Sequence, residues 1–389
     1  METNYINRKL AAVLKEAYNY FPVITITGPR QSGKTTLIRN QFSDLPYYSL
    51  ENLDVLSYAD NDPIAFLNQN DAGMILDEVH NCPKLLSYIQ GIVDDNPTRR
   101  FVLSGSSQFA MLKKVSQSLA GRTAVFELLP LSYAEIRDTV ANVPIDTLLF
   151  DGFYPAIHSG RNIARFLYPA YMKTYLDKDV RDLLKIKDMM QFHTFVRLCA
   201  GRIASLFNAS ELANEVGVSA NTITSWLSVL QASYIIMLLP PYHENLSKRL
   251  VKTPKLYFMD TGLACYLLGI ESPEQLSRDK MRGALFENFI VIEALKQRFN
   301  QGKESNLYFY RDSHHNEVDL LLKRNSGLYG IEIKSSMTYH TDFEKALRQL
   351  DSWVKPCVEG KAVVYSGSLE NTVGDIKLLN YSHLDDILV

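Results

Sequence analysis

Cysteine is scarce in this chain: Cys82, Cys199, Cys265 and Cys357 are the only four in 389 residues, and no two share a paired spacing. That excludes a four-thiolate zinc site and a cystine-stapled scaffold, and it fits a reducing compartment. Long apolar runs are also missing. No segment approaches the roughly 18 consecutive apolar residues of a membrane span, and Met1-Glu2-Thr3-Asn4 is not a basic region followed by an apolar core. The expectation is therefore a cytoplasmic protein without membrane contact. Charge of one sign is lacking too, with 41 basic against 43 acidic residues and a net charge of −2. Any nucleic-acid contact must then come from a local basic patch. What remains, 46% hydrophobic and 22% charged residues, is the composition of a folded protein of roughly two to four domains.

What is present begins at Gly28-Pro29-Arg30-Gln31-Ser32-Gly33-Lys34-Thr35, a G-x-x-x-x-G-K-[ST] phosphate loop. It follows the β-rich run Val23-Ile24-Thr25-Ile26-Thr27 and opens a helical pattern at Thr36-Leu37-Ile38-Arg39. A triphosphate needs backbone N–H groups turned toward it, so Gly28 and Gly33 stand where a Cβ would obstruct the wrap of the chain. The spacing predicts Lys34 at the β- and γ-phosphates, the Thr35 hydroxyl on Mg²⁺, and the positive end of the next helix facing the anion, with residues 28–36 as the ATP cradle.

A second acidic centre agrees. Met74-Ile75-Leu76-Asp77-Glu78 is an apolar strand ending in two carboxylates, the Walker B pattern: Asp77 to hold Mg²⁺ through water, Glu78 to polarise the attacking water. The strand Arg100-Phe101-Val102-Leu103 runs into Ser104-Gly105-Ser106-Ser107, where Ser106 is the candidate polar sensor of the γ-phosphate. Arg122 precedes the strand Thr123–Leu128. It reads either as an arginine reaching a nucleotide in its own or a neighbouring subunit, the latter requiring at least a homodimer, or as a surface residue. Asp77-Glu78-Val79-His80 also spells a helicase-like Asp-Glu-x-His, but no second helicase motif accompanies it.

From Asn7 to Val140, strand signals near 23, 47, 74, 101 and 124 alternate with helical ones, which predicts a parallel sheet covered on both faces. Helical spacing takes over from Phe166 to Leu206. Then Ser210–Ser219 and Asn221–Leu230 form a helix-turn-helix pattern. Ser210 and Ser219 are the expected caps, Gly217 the turn, and Ile223, Trp226, Leu227 and Leu230 the buried stripe, leaving Asn221, Thr222 and Ser225 exposed. A strand from Tyr234 to Leu239, a hairpin with Lys248, Arg249, Lys252 and Lys255, and a strand from Lys255 to Met259 complete a winged-helix pattern. It suits either DNA phosphates or a packing and dimerisation role.

The C-terminal third gathers a second constellation. Glu287 lies on a helix amid apolar residues, Asp319 on the strand Glu317–Leu322, and Glu332 with Lys334 two apart, hence on one face, of Gly330–Lys334. Three carboxylates and an ammonium can converge there as a Mg²⁺ site for phosphodiester hydrolysis, Lys334 orienting the nucleophile. His314 and His315 read as exposed loop residues.

On these motifs, together with Ala120-Gly121-Arg122 and Leu129-Pro130-Leu131-Ser132 with Glu135, the chain resembles the bacterial and archaeal AAA-type ATPases that carry a C-terminal DUF4143 domain. The resemblance implies an ATP-hydrolysing α/β core at residues 1–150, a helical connector at 151–206, a winged helix at 207–262 and a restriction-endonuclease-like α/β domain of the PD-(D/E)xK kind at 263–389. Here Val318 stands where that motif has proline.

Overall fold

The structure is a computed structural model that describes residues 5–105, 118–161, 164–176, 188–242 and 252–388. Five strands, β1 (Val23–Thr27), β2 (Tyr47–Ser49), β3 (Gly73–Asp77), β4 (Arg100–Gly105) and β5 (Thr123–Glu127), form a sheet in the order β2-β3-β4-β1-β5. Every neighbouring pair is parallel. The three central strands, β1, β3 and β4, are buried along nearly their whole length because both faces are covered. Val23, Met74, Leu76, Phe101 and Leu103 pack with α3 (Leu53–Asn61), α4 (Pro63–Leu67) and α5 (Leu85–Asp95). Ile24, Ile26, Ile75 and Val102 pack with α1 (Leu10–Tyr18) and α2 (Lys34–Gln41). Register aligns Thr27 with Gly105 and with Glu127, and Ser49 with Asp77, so the strands' C-terminal ends form one rim. In an open parallel sheet that rim is where ligands bind.

The five strands expected from sequence are all present, and α2 starts where the phosphate loop ends. Beyond β5 come α6 (Tyr133–Val140), α7 (Ile145–Asp151), α8 (Ala164–Tyr171), α9 (Met189–Ala200), α10 (Ala209–Val216) and α11 (Ala220–Ala232). Trp226 of α11 packs edge-on against Phe192 and tilted against Phe195 of α9. Gly217 adopts a left-handed φ of 79° and ends α10, and Ser219 caps α11 by accepting from the Thr222 N–H. The cap of α10 corrects the sequence expectation. Asn208, not Ser210, accepts from the Ser210 and Glu211 N–H groups, so the helix begins two residues earlier than a Ser210 cap allows. On α11, Thr224 is exposed beside Asn221 and Ser225, while Thr222 is only half exposed. β6 (Ile236–Leu239) pairs antiparallel with β7 (Lys255–Phe258). The strand does not start at Tyr234, because that residue takes a left-handed φ of 55°. Lys248 and Arg249 lie outside the described residues.

After α12 (Thr261–Leu268), the 19-residue α13 (Arg282–Asn300) leads into a mixed six-stranded sheet ordered β12-β13-β11-β10-β9-β8. Its strands are β8 (Leu307–Arg311), β9 (Glu317–Lys323), β10 (Leu328–Lys334), β11 (Val358–Tyr365), β12 (Asn371–Val373) and β13 (Ile376–Asn380). One face shares a core with Phe286, Phe289 and Ile290 of α13, the other with Leu347 and Leu350 of α14 (Lys345–Trp353). α13 is also welded to the first sheet's exit segment. Its buried Glu293 accepts from the Tyr133 N–H at 2.7 Å, and Lys296 bonds both Glu293 and the Leu131 carbonyl at 2.8 Å, over the Phe153 ring.

Two glycines separate packing from propensity. At Gly73, with φ +106°, a Cβ would stand 1.8 Å from the Arg100 carbonyl oxygen, whereas nothing lies within 4 Å of one at the exposed Gly91 inside α5. Gly73→Ala is therefore expected to cost several kcal/mol, roughly 3 or more from strain and β3–β4 displacement. Gly91→Ala should gain about 0.5–1 kcal/mol from helix propensity. Urea unfolding of both variants, read in the same buffer, checks the opposite signs.

Candidate active site

Gly28 leaves β1 with φ +149°, and a Cβ on it would stand 2.2 Å from the Leu128 carbonyl oxygen, so the loop's first turn requires glycine. Gln31 at φ 62° and Gly33 at φ 93° complete the bend into α2. The loop is braced from outside by Arg8. Its buried guanidinium donates to the Ser32 carbonyl and to the Leu129 carbonyl, each at 2.7 Å, and through Nε to Glu135 at 3.1 Å. Glu135 also accepts from the Lys9 and Ser132 N–H groups, both at 2.8 Å. The Leu129–Glu135 segment thus holds the loop through an arginine more than a hundred positions away.

Within the loop, Lys34 is buried and donates to the Gly28 carbonyl at 3.0 Å and the Pro29 carbonyl at 2.8 Å. Burial lowers its pKa to about 8, against the opposing pull of Glu78 and Asp77. Asp77, at the end of β3, collects three hydroxyls. Thr35 and Tyr47 donate to Oδ2 at 2.7 and 2.8 Å, and Ser104 donates to Oδ1. Glu78 follows in a left-handed φ of 52°, its carboxylate 3.1 Å from His80 Nδ1. Arg30 stands 3.8 Å from Glu51. Gly33 and Thr36 line a cavity of about 410 Å³ with Tyr5, Ile6, Asn40 and Pro155. Beneath the loop, the Thr27 hydroxyl meets the Tyr234 hydroxyl at 2.8 Å.

Ser106 lies outside the described residues. Arg122 requires a correction. It precedes β5 at the strand's N-terminal end, about 16 Å of strand away from the rim that carries the loop. Asp94 grips it there through two bonds of 2.5 and 2.8 Å, so it does not reach the nucleotide site of its own chain.

The C-terminal constellation comes together at the β9–β10 junction. The antiparallel ladder stops at Leu320 opposite Ile331, and beyond it the Asp319 carboxylate accepts the Ile333 N–H at 2.8 Å. Lys334 Nζ lies 2.6 Å from Glu332 Oε1 and 3.6 Å from Asp319 Oδ2. Burial, then the neighbouring Asp319 charge, pushes Glu332 up to about 8 and Glu287 up to about 7. The sequence reading missed four members, Lys255, Tyr257, Arg311 and Glu317. Lys255 is not a surface cation of a hairpin. Its buried ammonium sits 3.0 Å from Glu287 and 2.5 Å from Glu317. Tyr257, two residues on and hence on the same face of β7, donates to Glu287 at 2.7 Å, and Arg311 pairs with Glu317 at 2.9 Å. Among the described residues, no three His, Cys, Asp or Glu side chains stand together as a ready metal cage. His314 and His315 are exposed.

Residues 20–137 match the AAA domain family, residues 142–274 a domain of unknown function, DUF8612, and residues 282–384 another, DUF4143. Uncharacterized protein Rv2008c of Mycobacterium tuberculosis is 32% identical over 340 residues, covering 85% of this chain and 74% of its own length. Uncharacterized protein MJ1544 of Methanocaldococcus jannaschii is 22% identical over 330 residues, covering 76% and 71%. The chain belongs to the family of proteins that join an AAA-type ATPase domain to a C-terminal DUF4143 domain. Among solved structures, the Walker-type ATPase PABY2304 of Pyrococcus abyssi aligns over 68% of this chain and 96% of its own. Its identity is 13% and its TM-score 0.46, a likeness too loose to argue from. No described helix is long and apolar enough to cross a membrane.

The Arg8 fork makes a measurable difference between charge and geometry. Arg8→Met removes one partner of a buried pair and strands two carbonyls, for an expected loss of about 3–5 kcal/mol. Arg8→Lys keeps the charge but not the planar fork and should recover only part of it. Thermal and urea unfolding of both variants checks the order wild type, Lys, Met.

Proposed function

We propose that the chain is a magnesium-dependent ATPase whose nucleotide state is passed to a winged-helix unit and a nuclease-like module acting on DNA. One observation carries the ATPase reading: the Thr35 hydroxyl and the Asp77 carboxylate meet at 2.7 Å beside Lys34, with Glu78 next in the chain. This donor pair fits Mg²⁺, which takes oxygen ligands and, when bound with ATP, supplies charge neutralisation on the β- and γ-phosphates. Thr35 and Asp77 would hold it, Asp77 through water. Lys34 exchanges the Gly28 and Pro29 carbonyls for phosphate oxygens, while the loop amides and the N-terminus of α2 face the anion. Glu78 takes the water-activating position. The cavity beside Gly33 and Thr36 has the size and half-apolar lining for base and ribose.

Support for the DNA-facing part is the α10–Gly217–α11 arrangement, followed by the β6–β7 pair, with Asn221, Thr224, Ser225 and Lys252 exposed. Support for the nuclease-like module is the meeting of Asp319, Glu332 and Lys334 at the splayed β9–β10 junction, with Glu287 electrostatically coupled to them. A second reading, an ATP-controlled regulator or scaffold with an inert C-terminal site, is favoured by the ammonium groups of Lys255 and Lys334 already seated among those acids. Incubation with single- and double-stranded DNA and RNA plus Mg²⁺ or Mn²⁺ separates the two: cutting lost in Glu332→Ala supports the nuclease, and no cutting under any condition supports the scaffold.

Purified Lys34→Ala is expected to lose ATP binding. Glu78→Gln should bind but turn over about 10²–10⁴-fold more slowly. Unchanged hydrolysis in both removes the ATPase reading. A pH signature accompanies binding. The free Lys34 ammonium loses its proton above about 8, and a polyphosphate beside it restores the charge. ATP binding should therefore take up a proton between about pH 8 and 10 and none below about pH 7. Calorimetry in buffers of different ionisation enthalpy measures this, and Lys34→Ala should abolish the uptake.

A further inference from the structure

The reaction proposed for Asp77 and Glu78 gives no part to His80, two residues beyond the base. The chain leaves β3 through Glu78 with φ 52° and ψ 47°, a left-handed conformation that a β-carbon disfavours and that persists only where its surroundings impose it. Two anchors impose it. Val79 is fully buried in one core with Leu50 and Leu76, and Asn81 donates its N–H to the Glu78 carbonyl at 3.0 Å and its side-chain amide to the Leu50 carbonyl at 3.3 Å. A single 3-10 turn, Val79–Asn81, joins them, so the backbone of His80 is held from both sides.

That turn sets the imidazole against the carboxylate. His80 Nδ1 lies 3.1 Å from Glu78 Oε2, with the two side chains 22% and 14% exposed. The nitrogen is shut off from solvent, and the Glu78 oxygen stands within hydrogen-bond distance of it without lining up as a bond. A buried ring nitrogen left in that condition is costly, and a small turn of either side chain removes the cost. The same carboxylate also acts on the nucleotide loop, where its pull on the Lys34 ammonium exceeds that of Asp77. Glu78 therefore has the loop's ammonium and the imidazole as neighbours at once.

Resting on the reading of Glu78 as the water-activating base, we propose that His80 is the positioning residue for that base, its Nδ1–H closing onto Oε2 and holding the carboxylate toward the attacking water. A base acts only within hydrogen-bond reach of the proton it takes, and a misplacement of about 1 Å can cost 10²-fold in rate. In the step itself the water oxygen bonds to the γ-phosphorus, the bond to the bridging oxygen breaks, and Glu78 receives the water's proton. His80 transfers no proton; it keeps the glutamate's torsions from wandering.

The test uses the full chain and three substitutions. His80→Asn keeps an amide nitrogen where Nδ1 stands, His80→Gln moves it out to the reach of Nε2, and His80→Ala removes it. ATP turnover and ATP affinity, the latter by calorimetry, are read for each beside Glu78→Gln. His80→Ala should lower kcat about 10–100-fold with ATP affinity held within about twofold, the split expected of a group that acts only on the base. His80→Asn should recover most of the loss and His80→Gln less. A second readout needs no turnover. Long-range ¹H–¹⁵N spectra of histidine-labelled protein without nucleotide, at about pH 8, should place the His80 proton on Nδ1, and Glu78→Gln should shift that signal. Full kcat in His80→Ala, where Glu78→Gln is slow, overturns the proposal. So does rescue by Gln in preference to Asn, or a His80 proton on Nε2; both decide the matter even where His80→Ala fails to fold. Absence of turnover in the unsubstituted chain removes the ATPase reading and this proposal together, which sets that failure apart from the others.

Discussion

One guanidinium holds the nucleotide end of this molecule in shape. Arg8 is buried, its plane is rigid, and its donors reach a loop carbonyl, the Leu129 carbonyl and Glu135 at once. A lysine has no such fork. Because the Ser32 carbonyl is held from behind, the loop's bend is set before any ligand arrives, and a preorganised cradle loses less entropy on binding. Glu135 completes the brace by accepting the Ser132 N–H that opens α6. The exit from the first sheet and the entry to the loop are one mechanical unit.

The parts of the site that sequence made legible are local. Eight consecutive residues specify the loop, and an apolar strand followed by Asp77 and Glu78 specifies the opposing rim, because strand period and turn chemistry operate over short spans. Arg8 left no such trace: it is 24 residues from Ser32 and 127 from Glu135, and a lone arginine ahead of a helix carries no spacing signal. Tyr47 and Ser104, which meet on Asp77, come from neighbouring strands whose order sequence does not give. For Arg122 the sequence left a nucleotide contact and a surface position open, and the Asp94 partner that holds it at the surface comes from a helix 28 residues earlier, with no spacing signal to announce it. The cap of α10 turned on two cap-forming residues two positions apart, Asn208 and Ser210, between which propensity does not decide.

In the C-terminal sheet Glu287, Asp319, Glu332 and Lys334 were legible, whereas Glu317 and the counter-ions Lys255 and Arg311 were not. Glu332 and Lys334 share a strand face by simple alternation, and Asp319 lies on the strand before it. Lys255 reads in sequence as one more basic residue near a turn. Only the packing of β7 against α13 and β9 turns it inward, where its charge pairs with Glu287 and Glu317. A buried lysine is tolerable only with such partners, so the contact is a strong constraint on how the two segments sit together.

Tyr234 gives the fold a further property. The residue closes the turn after α11 in a backbone conformation that a β-carbon disfavours, and its phenol ends on Thr27, the last residue before the phosphate loop. Any shift of the β1 terminus has to break this hydrogen bond or carry the phenol, and with it the turn that follows α11, along.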